Sequence, residues 1–394
     1  YEFDFVQVID APTVSTTEDI NAFPVGGIVT SSAFNGENDI HVSTDWEMRL
    51  LATDEIVFSS YDDTVNLTQI EIDPFADADD YYVRARYNGE FISSNWSNQL
   101  DFYYNGNSIS LYSVSSDNTV KRIDSYGNEI WSFSYTGSTS RSIVTDSIGN
   151  SYTAIDQKII KIDFNGNEVT TNNWPLTLQN NAYYVTVDTN ENLYVALQNS
   201  LIEKYDNMGV KQKEFIGHSG FASVVVVDEQ GYLYTGSYGD DVIKYNPDGT
   251  QIWKYSDNAQ IFDIAFDSSK NVYLCGGYNN ARLRKLDPDG NLQWSFTNYT
   301  GFVNSIALDL SGNVYSASND NTVKKIDSSG NEVWTFSGHT SSVRGIAVDS
   351  NGNVYSGSND NTVKKIDPNG NEVTSGGWPF TGHTDNVVAL AVTG

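Results

Sequence analysis

A segment of about 40 residues recurs along most of this chain, and this repeat constrains the fold more than any other feature. Residues 305–333 and 345–373 are near duplicates of each other. An aromatic marker and an acidic or amide marker each recur seven times, at spacings of 39 to 43 residues. The aromatic markers are Tyr112, Tyr152, Tyr194, Tyr234, Tyr273, Tyr315 and Tyr355, and the second set is Asp124, Asp163, Asp206, Asn246, Asp287, Asp327 and Asp367.

Each repeat contains four short runs that are rich in Val, Ile, Tyr and Phe, and they are too short for helices. In one repeat the runs are 305–309, 313–318, 322–327 and 331–336. Glycine-containing turns join the first run to the second and the third to the fourth, as tight hairpins require. Four antiparallel strands in a repeat of this length are typical of a β-propeller blade.

The two ends of the repeat array predict that the ring closes on itself. The first repeat begins directly with a second-strand run at 109–113, and the chain ends with a first-strand run at 387–393. We expect residues 387–393 to complete the first sheet, because closure removes strand edges that would otherwise pair with other chains. The sequence therefore predicts an all-β chain with a seven-bladed β-propeller over residues 105–394, closed by its C-terminal strand.

Two short motifs within the repeats carry a family resemblance. Gly338-His339 and Gly382-His383 match the start of a WD repeat, and residues 358–367 resemble its end. The chain thus resembles the WD-repeat and quinoprotein-like propellers, although Ile366 stands where a WD repeat has tryptophan. Gly-His occurs in only three blades, counting Gly217-His218, so we expect the hydrogen-bond tetrad of WD repeats to be incomplete. The resemblance implies a fold and says little about function.

The N-terminal quarter does not follow the repeat. Residues 1–9 read as a linker or the end of a preceding domain, and residues 10–104 as a separate β-sandwich. Residues 81–87 with Trp96 resemble the F and G strands of a fibronectin type III domain, with Trp46 as the core tryptophan of the opposing sheet. This pattern resembles modules in bacteriophage tail and fibre proteins, and similar modules occur in secreted bacterial proteins. A start at Tyr1 is expected for a processed product or a fragment.

Charge and composition exclude several classes of function. The formal charge of -29, from 51 acidic and 22 basic residues, repels phosphate backbones and anionic lipids, so we expect no nucleic-acid partner. No apolar run is long enough to insert into a membrane. The single cysteine, Cys275, lies in a strand-like run and is expected to be a buried structural thiol.

No set of residues points to catalysis. The four histidines are dispersed, and three of them, His218, His339 and His383, lie in Gly-His turns where a structural hydrogen bond is expected. There is no zinc-ligand spacing, nucleophile elbow or phosphate loop. We therefore expect a protein that is not an enzyme and that has no cofactor and no metal.

A basic residue recurs two positions before the second marker in all seven repeats. Because strand residues alternate between faces, we expect these residues to form structural ion pairs with acids that end the first strands, while their stems pack between blades. The basic residues are Arg122, Lys161, Lys204, Lys244, Lys285, Lys325 and Lys365, and the acids are Asp146, Asp188, Asp228, Asp267, Asp309 and Asp349, with Thr393 in the seventh slot.

The loops at one end of the strands vary between repeats, whereas those at the other end are short and uniform, so the variable end is the expected binding face. Aromatic, Asn and Arg side chains there suit sugar rings or a protein epitope. The predicted binding residues are Arg141, Tyr183, Phe221, Tyr238, Phe262, Tyr278, Phe302, Asn304 and Arg344.

Repeats two and seven also carry insertions at 168–176 and 372–380, which predict either a bulged outer strand or a lateral subunit contact.

Three hypotheses of function follow. The first is a virion surface or tail-fibre protein, an assembly subunit or homo-oligomer that contacts other virion proteins or a glycan or protein on a host surface. The second is a secreted or cell-surface bacterial protein for adhesion or carbohydrate binding. The third, a quinoprotein-type enzyme, is the weakest, because such an enzyme needs a metal and cofactor pocket and no ligand cluster appears.

Overall fold

The computed structural model describes residues 109–138, 140–277 and 282–393 with their side chains, and the backbone of seven strands between residues 14 and 103. Two compact units are present, and the division falls between Ser108 and Ile109. The domain limits predicted from the sequence, 10–104 and 105–394, stay predictions. The segment 1–9 lies outside the described residues, as does Trp96, and the side chain of Trp46 is likewise not described.

The first unit contains two antiparallel sheets. A three-stranded sheet has the order β1-β2-β5, and a four-stranded sheet has the order β4-β3-β6-β7. The strands are β1 Val14–Thr16, β2 Gly27–Ser31, β3 His41–Leu50, β4 Ile56–Asp63, β5 Gln69–Ile72, β6 Asp80–Gly89 and β7 Leu100–Tyr103.

The second unit, as described over residues 109–393, consists of seven four-stranded antiparallel sheets. We number them as blades 1 to 7 and call their strands first to fourth in hydrogen-bonding order, beginning at the centre of the ring. Blade 1 has β35 Val387–Thr393 as its first strand, followed by β8 Ser110–Ser115, β9 Thr119–Ile123 and β10 Glu129–Ser134. Blade 2 has β11 Ile143–Thr145, β12 Ser151–Ile155, β13 Lys158–Ile162 and β14 Leu176–Thr177.

The remaining five blades are each continuous in sequence. Blade 3 has β15 Ala182–Val187, β16 Leu193–Leu197, β17 Ile202–Tyr205 and β18 Lys211–Phe215. Blade 4 has β19 Ala222–Val227, β20 Leu233–Ser237, β21 Asp241–Tyr245 and β22 Gln251–Ser256. Blade 5 has β23 Ile261–Phe266, β24 Val272–Gly276, β25 Arg282–Leu286 and β26 Leu292–Phe296. Blade 6 has β27 Val303–Leu308, β28 Val314–Ser318, β29 Val323–Ile326 and β30 Glu332–Phe336, and blade 7 has β31 Val343–Val348, β32 Val354–Ser358, β33 Val363–Ile366 and β34 Glu372–Val373.

The C-terminal strand closes the ring, which confirms the prediction from the chain ends. β35 pairs antiparallel with β8, and the register runs from Val387 opposite Ser115 to Thr393 opposite Ser110. Val387 is buried in a cluster that also holds Ile109 of the array start and Tyr355 of blade 7. Residues from the two ends of the array therefore share one hydrophobic core.

The second strands supply most of the core. All residues of β28 and β32 are buried, although their sequences mix apolar residues with serine, alanine and glycine. A second strand is covered on both faces by the adjacent blades, so it shows continuous burial in place of the alternation of a half-exposed strand. Its small residues allow the neighbouring sheets to approach closely. The fourth strands, such as β22, alternate between exposed and half-buried positions because only one of their faces is covered.

In six of the described pairs of adjacent blades, a tryptophan of one blade contacts the next blade. Its indole Nε1 donates a hydrogen bond of 2.9–3.2 Å to a carbonyl oxygen in the turn between the third and fourth strands of the next blade. The pairs are Trp131 with Phe164, Trp174 with Asn207, Trp253 with Pro288, Trp294 with Ser328, Trp334 with Pro368 and Trp378 with Ser125. Between blades 3 and 4, Lys213 replaces the tryptophan and donates to the carbonyl of Asp248.

The insertions in blades 2 and 7 preserve this contact. Trp174 and Trp378 lie inside the inserted segments, yet their indoles reach the same turn as the tryptophans of the regular fourth strands. The regular fourth strand is interrupted in both blades, where β14 and β34 keep only two residues each. The lateral subunit contact suggested for these segments stays a prediction.

The turn that receives the indole requires glycine for two reasons. Gly330 has a φ of +90°, which side chains rarely adopt, and a Cβ atom there would lie 3.0 Å from the indole of Trp294. Gly370 has the same φ and a Cβ would lie 2.9 Å from Trp334. The indole therefore packs directly on the turn backbone of the next blade.

The seven predicted basic residues lie between the blades. The Nζ atom of each lysine, or the Cζ atom of Arg122, lies 5.0–5.9 Å from the ring centroid of the second-strand tyrosine in the same blade. Among the described residues, four of them also lie 3.7–4.0 Å from the expected acids, in the pairs Lys161–Asp146, Lys204–Asp188, Lys285–Asp267 and Lys325–Asp309. Lys244, Lys365 and Arg122 donate to carbonyl oxygens of Pro288, Ser125 and Phe164 in the following blade. The energetic contribution of the ion pairs stays a prediction.

Histidine side chains anchor the loops that lead into the first strands of blades 7 and 1. His339 contacts Ser356 Oγ through Nε2 at 2.9 Å and Asp360 Oδ2 through Nδ1 at 2.8 Å. His383 makes the same two contacts with Ser113 and Asp117. We call this arrangement the loop latch. It forms without the tryptophan of a WD repeat, and its serine is fully buried.

We predict that Gly330→Ala lowers the free energy of unfolding by about 2–4 kcal/mol, because it combines a strained positive φ with a clash against Trp294. Gly312→Ala is the matched control, since Gly312 has a φ of +77° but its Cβ would lie 3.8 Å from the nearest atom. The control should lose only about 1 kcal/mol. Urea unfolding measures both changes, and equal losses would contradict the role of the indole contact.

We further predict that the latch in blade 7 weakens under acid. Burial raises the pKa of Asp360, but hydrogen bonds from His339, Thr362 and Thr340 outweigh burial and hold this pKa well below its usual range. A carboxyl with a lowered folded-state pKa contributes stability above its unfolded pKa of about 4 and loses it as the pH falls toward the folded pKa. Asp360→Asn should therefore reduce the free energy of unfolding by about 1–2 kcal/mol at pH 7 and by progressively less below pH 4. A difference that does not change between pH 7 and pH 3 would contradict this account.

Candidate binding face on the bulged first strands

The first strands of six blades carry a β-bulge, and four of the extra residues belong to the predicted binding set. In β15, Ala182 pairs with Leu197 and Tyr184 with Ala196, which leaves Tyr183 as the extra residue. The same register shift occurs in the first strands of blades 4, 5, 6, 7 and 1, where the extra residues are Ser223, Phe262, Asn304, Arg344 and Val388. A bulge redirects a side chain away from the regular alternation of the strand. The uniform ring therefore carries a varied set of side chains near one end of its innermost strands.

Four aromatic side chains from blades 3 to 6 form a continuous row, which we call the aromatic row. Tyr183 and Tyr238 have ring centroids 5.3 Å apart and their hydroxyl groups are hydrogen-bonded. Tyr238 lies 5.7 Å from Phe262, and Phe262 lies 6.3 Å from Phe302. The three interplanar angles are 77–78°, the edge-to-face geometry that aromatic pairs prefer. Side chains that the sequence placed on one face are thus in direct contact across four blades.

Arg141 of blade 2 extends the row at one end. Its Nη1 donates a hydrogen bond of 2.6 Å to the hydroxyl of Tyr183, and its guanidinium carbon lies 4.8 Å from the centroid of that ring. The residue is exposed. A cation therefore lies at the accessible end of a half-buried aromatic surface.

A polar cluster follows the row in blades 6 and 7. The Nδ2 of Asn304 donates to the carbonyl of Val343 at 2.7 Å and to Asn319 Oδ1 at 2.8 Å. Arg344 Nη1 donates to Asn304 Oδ1 at 3.4 Å. These hydrogen bonds hold Asn304 and Arg344, two of the predicted binding residues, in place at the bulged end of the first strands.

The two remaining predicted residues have different outcomes. Phe221 is 52% exposed, and with Ser200, Ser219, Gly220 and Tyr238 it lines an open recess of about 310 Å³ between blades 3 and 4. Tyr278 lies outside the described residues. The structure therefore groups most of the predicted set into the aromatic row, the polar cluster and this recess, and their use in binding stays a prediction.

Sequence reasoning missed the acid that fastens the bulge of blade 5. Asp263, beside Phe262, accepts hydrogen bonds from Ser305 Oγ at 2.8 Å, from the backbone N–H of Ile306 at 3.0 Å and from that of Ile264 at 2.9 Å. Burial raises the pKa of this carboxyl to about 6, although the hydrogen bonds oppose the shift. The signal in the sequence was an acid inside an otherwise apolar first strand. Its contacts join blades 5 and 6 beneath the aromatic row.

Chemistry elsewhere in the described ranges is sparse. Between residues 109 and 393, outside 139 and 278–281, no group of three or more His, Cys, Asp or Glu side chains could hold a metal ion. Cys275 is buried in β24, and burial raises the pKa of its thiol well above the usual value. Among the residues described, no helix has the length and apolar character needed to cross a membrane.

Comparisons with known proteins agree with the geometry of the second unit. A solved structure titled "Crystal structure of the computationally designed Ika8 protein: crystal packing No.1 in P63" matches with a TM-score of 0.57 and 18% identity, covering 72% of this chain and 88% of the designed one. In all, 940 chains of solved structures match, so the likeness indicates a widely used fold and carries no function. No curated protein matches the chain.

Two family models match within the propeller. The model for WD domain, G-beta repeat matches residues 330–367, which confirms the expected resemblance in the region of blades 6 and 7. The model described as Outer membrane protein assembly factor BamB, PQQ_2, matches residues 116–317. This second match spans slightly more than half of the 394 residues. The chain therefore belongs to the PQQ_2 family of β-propeller proteins.

Proposed function

We propose that this protein is a non-enzymatic attachment and interaction scaffold that contacts its partner through the bulged end of the propeller. A propeller of this kind suggests protein–protein interaction, and the aromatic row with Arg141 at its end is the observation that carries the assignment. Tyrosine and arginine are enriched among the residues that dominate binding energy at interfaces.

The scaffold beneath the row supports this role. The bulged residues project from strands whose neighbours are buried, and Asp263 fixes the bulge of blade 5 to blade 6. A preorganised surface loses less conformational entropy on binding than a mobile loop does. The opposite end of the ring carries the short turns between first and second strands, where Leu310 is 92% exposed and belongs to no comparable aromatic group in the described residues.

We further propose a virion surface or tail fibre as its setting, with other virion proteins or a host-surface glycan or protein as partner. The N-terminal resemblance to fibronectin type III-like modules of phage fibres supports this, and seven strands in a three-stranded and a four-stranded sheet are compatible with such a sandwich. The charge of -29 favours solubility outside the cell. The second candidate is a secreted bacterial adhesion or carbohydrate-binding protein, which the same row would serve.

We predict that replacing two members of the row, Tyr183→Ala with Phe262→Ala, weakens binding of the labelled full chain to bacterial cells by at least tenfold. Truncation of a buried aromatic hot spot costs about 2 kcal/mol or more, which corresponds to a factor of about 30. The measurement is flow cytometry over a panel of whole bacterial cells, to find a strain that binds the wild-type chain.

Leu310→Ala is the control for this experiment, because it removes an exposed apolar side chain at the opposite end of the strands. It should bind such cells as the wild-type chain does. Equal binding by the row variant and the wild type, with both folded by circular dichroism, would refute the assignment of the binding face. Mass spectrometry of purified phage particles from the same source separates the virion setting from the secreted one.

A further inference from the structure

Blade 4 departs from the loop latch of blades 7 and 1. His218 contacts Thr235 Oγ1 through Nε2 at 2.7 Å, as His339 contacts Ser356. The turn position that holds Asp360 in blade 7 holds Gly239 in blade 4. The Nδ1 atom of His218 is consequently buried without a hydrogen-bond partner among the described residues. Burial lowers the pKa of this imidazole to about 4, so it is neutral at physiological pH.

Glycines allow the two loops of blade 4 to come into close contact. Gly239 and Gly220 lie back to back, and a Cβ on Gly239 would come within 2.6 Å of the backbone nitrogen of Gly220. The residue before Gly239 is Tyr238, where blades 6 and 7 have asparagine, and its ring turns into the aromatic row. Gly220 and Tyr238 also line the open recess of about 310 Å³ between blades 3 and 4.

The lining of this recess combines one exposed ring with hydroxyl groups and no charge. Phe221 contributes the exposed ring, and Ser200 and Ser219 contribute hydroxyls. Ser219 Oγ donates a hydrogen bond of 3.0 Å to Asp241 Oδ2, which leaves the lone pairs of the hydroxyl for an incoming donor. Ser200 has a φ of +71° in a turn where blades 1, 6 and 7 have asparagine. An uncharged ligand with one apolar face and a polar rim matches this set of groups.

We propose that the recess binds a single neutral pyranose ring, stacked on Phe221 with its hydroxyl rim toward Ser200 and Ser219. This deepens the proposed function and rests on it, because the recess adjoins the aromatic row at Tyr238. The C–H bonds on one face of a pyranose are weakly positive and suit the negative face of an aromatic ring. An apolar side chain of a protein partner would cover the serine hydroxyls and leave their accepting lone pairs without a donor.

The size of the recess limits the ligand. Its volume lies at the lower end of the range for small-molecule sites, which is about 300–1,000 Å³. It therefore holds one ring, and its open side leaves the rest of a longer glycan in solvent. No Lys or Arg lines it, so it favours a neutral sugar over a uronic or sialic acid.

Saturation-transfer NMR on the full chain tests the proposal, with methyl β-D-glucopyranoside, methyl β-D-galactopyranoside, methyl α-D-mannopyranoside and N-acetylglucosamine as probes, and glucuronic acid as the charged comparison. At least one neutral probe should receive saturation. Phe221→Ala and Phe221→Leu should each reduce the transfer at least fivefold, whereas Phe221→Trp should retain it. Retention in the leucine variant would overturn the stacking, because leucine keeps the apolar volume and removes the ring.

A second pair of variants tests the recess itself. Gly239→Ala should abolish the transfer by forcing the two loops apart. Gly301→Ala is the matched control in blade 6, since a Cβ there would lie 2.6 Å from the backbone nitrogen of Asp320 at the equivalent loop pair. The control should leave the transfer unchanged.

Absence of transfer to every neutral probe would overturn the sugar assignment, as would equal transfer in the Gly239 variant and the wild type. The binding to cells by the Tyr183 and Phe262 variants is measured separately. If these variants lose binding while no probe receives saturation, the sugar assignment is wrong and the binding face stands. If they keep binding, the proposed function is wrong.

Discussion

The pairing of residues 387–393 with Ser110–Ser115 is the contact on which the rest of the propeller depends. Each blade buries its second strand only when both neighbours are present, so an open array would expose two core surfaces. Closure involves side-chain contacts as well as the backbone hydrogen bonds between β35 and β8. His383 reaches Ser113 and Asp117 across the same junction, and Trp378 of blade 7 reaches the carbonyl of Ser125 in blade 1. The indole contact between the last and first blades is thus the same as that in five other pairs of adjacent blades.

The blades share a constant set of contacts and differ in the residues at the bulged end of their first strands, which is the proposed binding face. The indole contacts, the glycine turns and the basic residues over tyrosine rings recur with little change, because each maintains the spacing of neighbouring blades. The bulged residues of the first strands share no such common contact, and their side chains differ from blade to blade. Tyr183, Phe262 and Arg344 occupy equivalent positions on different blades. The residue at the bulged position therefore differs between blades, while the contacts that hold neighbouring blades together stay nearly constant.

The features that follow from the repeat and from strand register could be predicted from the sequence. The side-chain contacts between neighbouring blades on the proposed binding face could not. The period of about 40 residues and the unmatched ends were sufficient for the number of blades and the closing strand. The predicted binding set includes four of the bulged residues, Tyr183, Phe262, Asn304 and Arg344, although the bulge itself was not predicted. The contact of Tyr238 with Tyr183 was not predictable, since it joins side chains 55 residues apart on neighbouring blades. The loss of the latch acid at Gly239 was visible in the sequence, but its consequence required the position of His218.

Native-state hydrogen exchange of the backbone amides in residues 389–393 is the most direct test of this account. The closed ring predicts that these amides exchange as slowly as those of β31 in blade 7, with a free energy of opening close to that of global unfolding. Exchange at the rate of an unstructured tail, while the amides of β31 stay protected, would show that the C-terminal segment does not complete blade 1 and would contradict the closed seven-bladed ring.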